Sequence, residues 1–178
     1  RAWNAFVARG QWGDAAALAA YGHLFDSISL CLSKGLGCPV GSVLVGPQSF
    51  IQEAHRVRKV MGGGMRQAGS LAAAGLHALD HHVARLAEDH THAKQLGDTL
   101  DSHTDVASVD PVDTNIVIFS LHGNHANDAV QALTEVGVGC FAFGPNKVRL
   151  VTHLDMTSDD VHEACRRIAQ SRLTGPQA

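Results

Sequence analysis

One feature constrains the fold more than any other: a helical pattern of apolar residues that runs from about Gln67 to Leu100. Its apolar side chains recur at helical spacings, with many alanines between them, at Leu71, Leu76, Leu79, Val83, Leu86 and Leu96. A single helix of that length is unusual inside one globular domain. We therefore expect either a bend near His81 and His82 or a long helix that connects two domains.

The segment after this helix is predicted to be a small domain of its own. Its pattern predicts the order β-α-β-β-α, with strands at 115–121, 138–143 and 148–151 and helices at 126–135 and 157–170. Gly137 is placed to end the first of these helices, and the polar residues from Thr157 onward are placed to cap the second. We therefore predict two domains, 1–102 with the connecting helix and a small α+β domain over 103–178.

The segment before the long helix contains two predicted strands around a turn. Residues 27–33 alternate between small polar and apolar side chains, as strands do, and 42–45 form a second short apolar strand. The Gly- and Pro-rich stretch 35–41 lies between them and is typical of a turn. A helix is predicted over 47–61, and Gly62, Gly63 and Gly64 end it.

The beginning of the chain is predicted to be partly helical. Residues 1–10 fit a short helix that ends at Gly10, and 11–26 are predicted to be a loop with a helical turn. Because the sequence opens at Arg1 on an amphipathic pattern and without Met, we expect that an N-terminal part of a longer protein precedes it.

Composition excludes several classes of partner. The net charge is −3 and no run of basic residues stands out, so nucleic acid is not expected. No apolar run is long enough to span a bilayer, and no signal peptide opens the sequence. The four cysteines form no CxxC pair, which is typical of reduced thiols in an intracellular protein, and we expect a cytoplasmic location.

Lys34 is the candidate for covalent chemistry. It ends an apolar strand and enters a glycine-rich turn, which places its amine at the rim of a sheet. Partial desolvation there would lower the pKa of the ammonium group, as imine formation requires. The glycines would let a bulky ligand approach the backbone. A solvent-facing lysine with no chemical role is the alternative interpretation of the same pattern.

Four segments, in order along the chain, resemble the family of low-specificity L-threonine aldolases. They are the stretch around Lys34 at 26–42, the glycine-containing stretch 58–69, the stretch 83–90, and the stretch 148–155. The resemblance implies an α/β protein of the aspartate-aminotransferase-like fold type I, with a large domain, a small C-terminal domain and active sites at a subunit interface. It also implies pyridoxal 5′-phosphate as cofactor and a homo-oligomer, either a dimer or a tetramer.

The same resemblance assigns roles to individual residues. Lys34 would bind the cofactor covalently and act as the catalytic lysine, and Arg149 would hold the substrate α-carboxylate in its planar fork. Arg66 is a separate expectation, because an arginine beside the N–H groups at the start of the long helix favours an anion, and we expect it to approach the cofactor phosphate with Lys59 close by. For Lys59 the alternative is a capping and helix-dipole arrangement with no ligand. Arg1 resembles the arginine of the family's Asp-Gly-Ala-Arg segment and would lie near the cofactor ring and the substrate. The span from Arg1 to Lys34 is longer than the family's usual spacing, with extra residues around 11–20.

The activity implied is aldol cleavage of L-threonine or L-allo-threonine to glycine and acetaldehyde. One alternative is another fold type I enzyme that acts on β-hydroxy amino acids. A second is an inactive truncated chain that acts only as an interaction partner, because the family's phosphate loop, ring-stacking residue and pyridine-nitrogen aspartate are not recognised in the sequence. The histidines, among them His77 and His81 at i,i+4 spacing, are interpreted as a solvated helix face, and no metal site is expected.

Overall fold

The computed structural model describes residues 2–174, and its contacts divide them into two compact units. The first unit ends at Leu86 and the second begins at Ala87. The predicted boundary of this chain's two domains after residue 102 stays a prediction. No helix within residues 2–174 combines the length and the apolar character that crossing a bilayer requires.

The first unit contains four helices and a two-stranded antiparallel sheet. In chain order the elements are α1 (Ala2–Ala8), α2 (Ala15–Gly22), β1 (Ile28–Cys31), β2 (Ser42–Val45), α3 (Gln48–Val60) and α4 (Gly69–His81). The second predicted strand has the predicted bounds, and the first is shorter than predicted. The loop with a helical turn that was predicted over 11–26 contains the two-turn helix α2, whose N-terminus is capped by the Asp14 carboxylate.

The core of the first unit lies beneath the turn that joins β1 to β2. Leu36 and Cys38 from this turn pack with side chains of α4 and of the segment after it, Ala78, Val83 and Leu86. Trp3, Val7 and Leu32 pack against this cluster from its edge. The apolar residues of the turn therefore anchor it in this core, so the turn is not exposed along its whole length.

The predicted long helix is two helices with a break at the predicted position. The helix α4 ends at His81, and α5 (Leu86–Asp101) begins after a short turn. The prediction of a bend at His81 and His82 is thereby confirmed. Gln67, which was expected to begin the helix, has a positive φ of 55° and precedes α4.

The second unit packs helices on one face of a four-stranded antiparallel sheet. Its remaining elements are β3 (Val106–Val109), β4 (Ile116–Leu121), α6 (Ala126–Glu135), β5 (Phe141–Ala142), β6 (Lys147–Val151) and α7 (Ser158–Gln170). The strand order is β3-β4-β6-β5. The sequence pattern missed β3, whose four residues pair with β4 through a register shift near Ala107. The strand predicted over 138–143 forms only at Phe141 and Ala142.

Alternation along the central strands decides which side chains are buried. Val117, Phe119 and Leu121 of β4 and Val148 and Leu150 of β6 point into the core. Leucines and aliphatic residues of α5, α6 and α7 cover them, namely Leu96, Leu100, Leu133, Val161 and Ile168. The intervening residues of the strands, Arg149 among them, lie on the other, half-exposed face of the sheet.

Candidate active site

Lys34 lies on a tight turn directly after β1, and its side chain is exposed. Its carbonyl oxygen accepts a hydrogen bond from the Gly37 N–H at 2.8 Å, and the Cys38 N–H donates to the Leu32 carbonyl at 3.2 Å. Gly37 has a positive φ of 69°, which a side chain would oppose. These backbone hydrogen bonds therefore fix a frame, the turn 32–38, from which the Lys34 amine is exposed to solvent.

Neighbours from α1 and the end of α4 hold this frame in place. The Nδ1–H of His82 donates a 2.7 Å hydrogen bond to the Leu36 carbonyl oxygen. A Cβ atom added at Gly35 would lie 2.9 Å from the Leu86 side chain and 3.2 Å from that of Asn4. A side chain at Gly35 would therefore force the Leu86 or Asn4 side chain to move.

Cys31 and Ser33 give Lys34 a polar neighbourhood. The Cys31 thiol lies 3.5 Å from the Ser33 hydroxyl, and this hydrogen bond lowers the pKa of the thiol. Burial opposes that effect, and the positive charge of Lys34 adds to it. No sequence pattern had predicted a role for Cys31.

Lys59 and Arg66 lie on the two sides of the glycine turn that follows α3. The side chain of Lys59 folds over Gly64, and its Nζ lies 3.1 Å from the position that a Cβ atom would take there. Arg66 is exposed and precedes α4 by three residues. The residue before α4, Ala68, supplies no side-chain cap, so no capping side chain occupies the start of the helix that Arg66 precedes.

Arg149 lies on β6 in the second unit. Its register partners are Ile118 on β4 and Phe141 on β5, so all three point to the half-exposed face of the sheet. Its guanidinium carbon lies 5.8 Å from the ring centroid of Phe143, a cation–π contact that the sequence analysis did not predict. Backbone pairing supports this geometry, because the Phe143 N–H donates to the Lys147 carbonyl at 2.7 Å.

The charge of Arg149 is available for a ligand. Its Nε atom is buried and has no hydrogen-bond partner among residues 2–174. Lys147, two residues earlier on the same face, is neutralised by Asp110 at 3.2 Å. A buried donor without a partner costs free energy, which a bound carboxylate would recover.

The remaining predicted positions are less informative. Arg1 lies outside the described residues. Within the described part of the chain, no group of three or more histidine, cysteine, aspartate or glutamate side chains is arranged to hold a metal ion.

Among the residues that support the Lys34 turn, Asn4 and His82 could not be predicted from the sequence, because no local pattern marks a contact between residues so far apart in the chain.

Solved structures of other proteins share this fold. A candidate aromatic amino acid beta-eliminating lyase/threonine aldolase from Exiguobacterium sp. is 20% identical, with a TM-score of 0.73 over 96% of this chain and 50% of the other. An N-acetylornithine aminotransferase from Stenotrophomonas maltophilia is 22% identical, with a TM-score of 0.59 over 81% of this chain and 38% of the other. These structures show that the chain has the aspartate-aminotransferase-like fold, fold type I, that the sequence predicted.

Sequence comparison places the chain within a particular family of this class. A family model for beta-eliminating lyases matches residues 1–124, and the chain belongs to that family. It is 38% identical over 161 residues to a low-specificity L-threonine aldolase from Candida albicans, covering 90% of this chain and 41% of the relative. It is 44% identical over 138 residues to one from Escherichia coli K12, covering 78% and 40%. The predicted resemblance to low-specificity L-threonine aldolases is confirmed.

The chain spans about two fifths of the length of the curated relatives it matches. The activity of the whole protein is therefore proposed and not shown. Pyridoxal phosphate, the cofactor that the family implies, fits the described residues. Lys34 offers an exposed amine on a pinned turn, and Arg66 stands beside the uncapped start of α4.

Proposed function

We propose that the complete protein cleaves L-threonine or L-allo-threonine to glycine and acetaldehyde with pyridoxal 5′-phosphate as cofactor. The observation that carries this proposal is the sequence identity of 38–44% to proteins named low-specificity L-threonine aldolases. The matched region includes the turn that bears Lys34. The pinned geometry of that turn supports the proposal independently.

Lys34 is the proposed covalent anchor of the cofactor and the catalytic lysine. When bound, the cofactor supplies an electron sink for the electron pair released as the Cα–Cβ bond breaks. The exposed amine can reach a ligand, while the buried Leu36 and Cys38 fix the backbone on which it is carried. Preorganisation of this kind lowers the cost of holding a reacting group in position.

Arg149 is the proposed binding group for the substrate α-carboxylate. Its planar fork can donate two parallel hydrogen bonds to a carboxylate. The Nε atom of this fork is buried, so bulk water does not reach it. Without a ligand it has no hydrogen-bond partner in the described part of the chain. Arg149→Ala is expected to lower kcat/KM by roughly 10- to 150-fold, the equivalent of about 1.5–3 kcal/mol for a hydrogen bond to a charged group.

Lys59 and Arg66 are the proposed neighbours of the cofactor phosphate. Both are exposed, and neither is paired with a carboxylate in the part of the chain that the structure describes. The uncapped start of α4 adds free N–H groups to the same region. Arg1 is proposed to lie near the cofactor ring and the substrate, on the strength of the sequence resemblance alone.

A homo-oligomer, a dimer or a tetramer, belongs to the same proposal, since the family resemblance implies sites completed across subunits. So does a cytoplasmic location, which the four free cysteines support.

The test is an acetaldehyde assay on the complete protein with L-threonine and with L-allo-threonine. Lys34→Ala should abolish turnover, and Lys34→Arg should not restore it, because arginine keeps the charge but not the amine chemistry. A parallel reaction with L-serine and tetrahydrofolate addresses the alternative activity on β-hydroxy amino acids. The 178-residue chain forms a second arm, which addresses the alternative of an inactive fragment. Full turnover by Lys34→Ala would refute the assignment.

A further inference from the structure

Three imidazole side chains lie together at the C-terminal end of α4. His77 and His81 are one helical turn apart, and their ring centroids are 4.5 Å apart with an angle of 48° between the planes. The ring of His82 meets that of His77 edge-on at a centroid distance of 5.2 Å. From the sequence pattern, His77 and His81 were expected to lie on a solvated helix face without a metal, and nothing in the proposed aldolase chemistry uses these residues.

The spacing of the rings matches that of two imidazoles bound to one cation. With metal–nitrogen bonds of about 2.0–2.1 Å, ligands at right or tetrahedral angles have ring centroids roughly 4.5 to 5.2 Å apart. The pair His77 and His81 falls in this range as the chain is folded. Helical positions i and i+4 lie on one face, so the backbone needs no rearrangement to bring both nitrogens to one ion.

Both rings are free to serve as ligands. His77 and His81 are exposed, and neither makes a hydrogen bond within residues 2–174. His82 differs, because its Nδ1–H is committed to the Leu36 carbonyl at 2.7 Å. That bond fixes the His82 ring, and the fixed ring in turn packs against His77 and restricts its rotation.

We infer that His77 and His81 form a two-histidine binding site for a divalent first-row transition metal ion, with water completing the coordination. No set of three or more ligand side chains surrounds one point in the described chain, so protein ligands alone do not close the site. Neutral imidazole suits Ni²⁺, Cu²⁺ and Zn²⁺, whereas Mg²⁺ and Ca²⁺ prefer oxygen ligands. The site lies next to His82, which holds the turn that carries Lys34.

The experiment is a titration of the EDTA-treated, pyridoxal-phosphate-free chain with Ni²⁺ by isothermal titration calorimetry. Ni²⁺ avoids the oxidation of thiols that Cu²⁺ would cause. We expect one high-affinity ion per chain, and at least tenfold weaker binding in His77→Gln and in His81→Gln. Because the two ligands act as one chelate, the double variant should lose little more than either single variant.

His23→Gln is the matched control. His23 is also exposed and lies at the end of a helix, but no second imidazole neighbours it among residues 2–174. Its replacement should leave Ni²⁺ affinity unchanged, and Mg²⁺ should give no heat of binding to any variant. Circular dichroism of each variant verifies that the helices persist. Unchanged affinity in folded His77→Gln or His81→Gln, or the same loss in His23→Gln, would overturn the inference.

Discussion

The guanidinium carbon of Arg149 lies 5.8 Å from the centroid of the Phe143 ring, on the half-exposed face of the second unit's sheet. Both residues belong to the hairpin of β5 and β6, so their relation is set by the strand register. The ring covers one side of the planar fork. The Nε atom of the same guanidinium is buried and has no hydrogen-bond partner within residues 2–174.

Phe143→Leu is expected to loosen the orientation of Arg149 without removing its charge. A cation–π contact at an exposed site is worth about 0.5–1 kcal/mol. The expected result is a rise in KM for L-threonine of roughly two- to fivefold, with a smaller change in kcat. Phe143→Tyr keeps an aromatic face and should restore the KM of the unmodified protein.

Phe141→Leu is the control for this prediction. Phe141 is exposed to 69% and pairs with Arg149 in register, but its ring makes no cation–π contact in the described part of the chain. The rate at which phenylglyoxal modifies Arg149 reports on the position of the guanidinium independently of turnover. Equal effects of the two replacements on both KM and labelling would contradict the positioning role of Phe143.

Gly35→Ala is expected to disturb the turn that carries Lys34. The added Cβ atom would come within 2.9 Å of the buried Leu86 side chain and 3.2 Å of the buried Asn4 amide. Overpacking of this kind costs about 1–3 kcal/mol in the free energy of unfolding. Urea unfolding should show that loss, and titration with pyridoxal phosphate should show weaker binding.

Gly13→Ala provides the comparison at a position without neighbours. No atom lies within 4 Å of the position of its Cβ, and its φ is not positive. The free energy of unfolding should stay unchanged or rise slightly, because alanine restricts the unfolded chain. A Gly35→Ala protein as stable as Gly13→Ala would show that the packing beside Lys34 is looser than described.

Cys31 is expected to react with iodoacetamide far faster than Cys140. Hydrogen bonds with the Ser33 hydroxyl and backbone, and to a smaller extent the charge of Lys34, lower the pKa of the Cys31 thiol, whereas burial raises that of Cys140 to about 11. Only the thiolate is nucleophilic, so near neutral pH Cys31 has the larger reactive fraction. Mass spectrometry after timed alkylation measures both rates in one sample.

Ser33→Ala tests the cause of that reactivity. Loss of the hydroxyl removes the largest influence that lowers the pKa of Cys31, so the midpoint of its alkylation profile should move to higher pH. The Cys140 rate should not change. An unmoved midpoint, or equal rates for the two cysteines, would contradict the geometry around Cys31.

The spacing of apolar residues, together with the residues that cap or end helices, predicted much of the fold. The strand at 42–45, the helices α3, α6 and α7, and the break at His81 follow from apolar spacing and from helix-ending glycines and caps. Thr157 forms the expected capping box with Asp160. Gly137 has the positive φ expected of a residue that ends a helix. These features are local, and local chemistry determines them.

The strand β3 was missed, and α2 was predicted only as a helical turn, for different reasons. Strand β3 has only four residues and exists because β4 pairs with it across a register shift. The helix α2 was obscured by its alanines, which give no amphipathic pattern. The residues that secure the Lys34 turn, Asn4 and His82, come from about thirty residues before it and about fifty after it, so no short motif contains them.

The candidate site was predictable in part. Lys34 stood out only through the resemblance of its surrounding motif, since a lysine in a glycine-rich turn can equally be a surface residue. Alternation of apolar residues predicted that Arg149 lies on a strand. The unpartnered Nε atom and the contact with Phe143 depend on the folded structure and could not be predicted from the sequence.

The most direct test of the central claim is chemical capture of the cofactor lysine. The complete protein is incubated with pyridoxal phosphate and reduced with borohydride, and its peptides are mapped by mass spectrometry. The reduced adduct is expected on Lys34, with none on Lys59, Lys94 or Lys147, and Lys34→Ala should lose it. An adduct on another lysine, or no adduct at all, would contradict the assignment of Lys34 as the cofactor-binding residue.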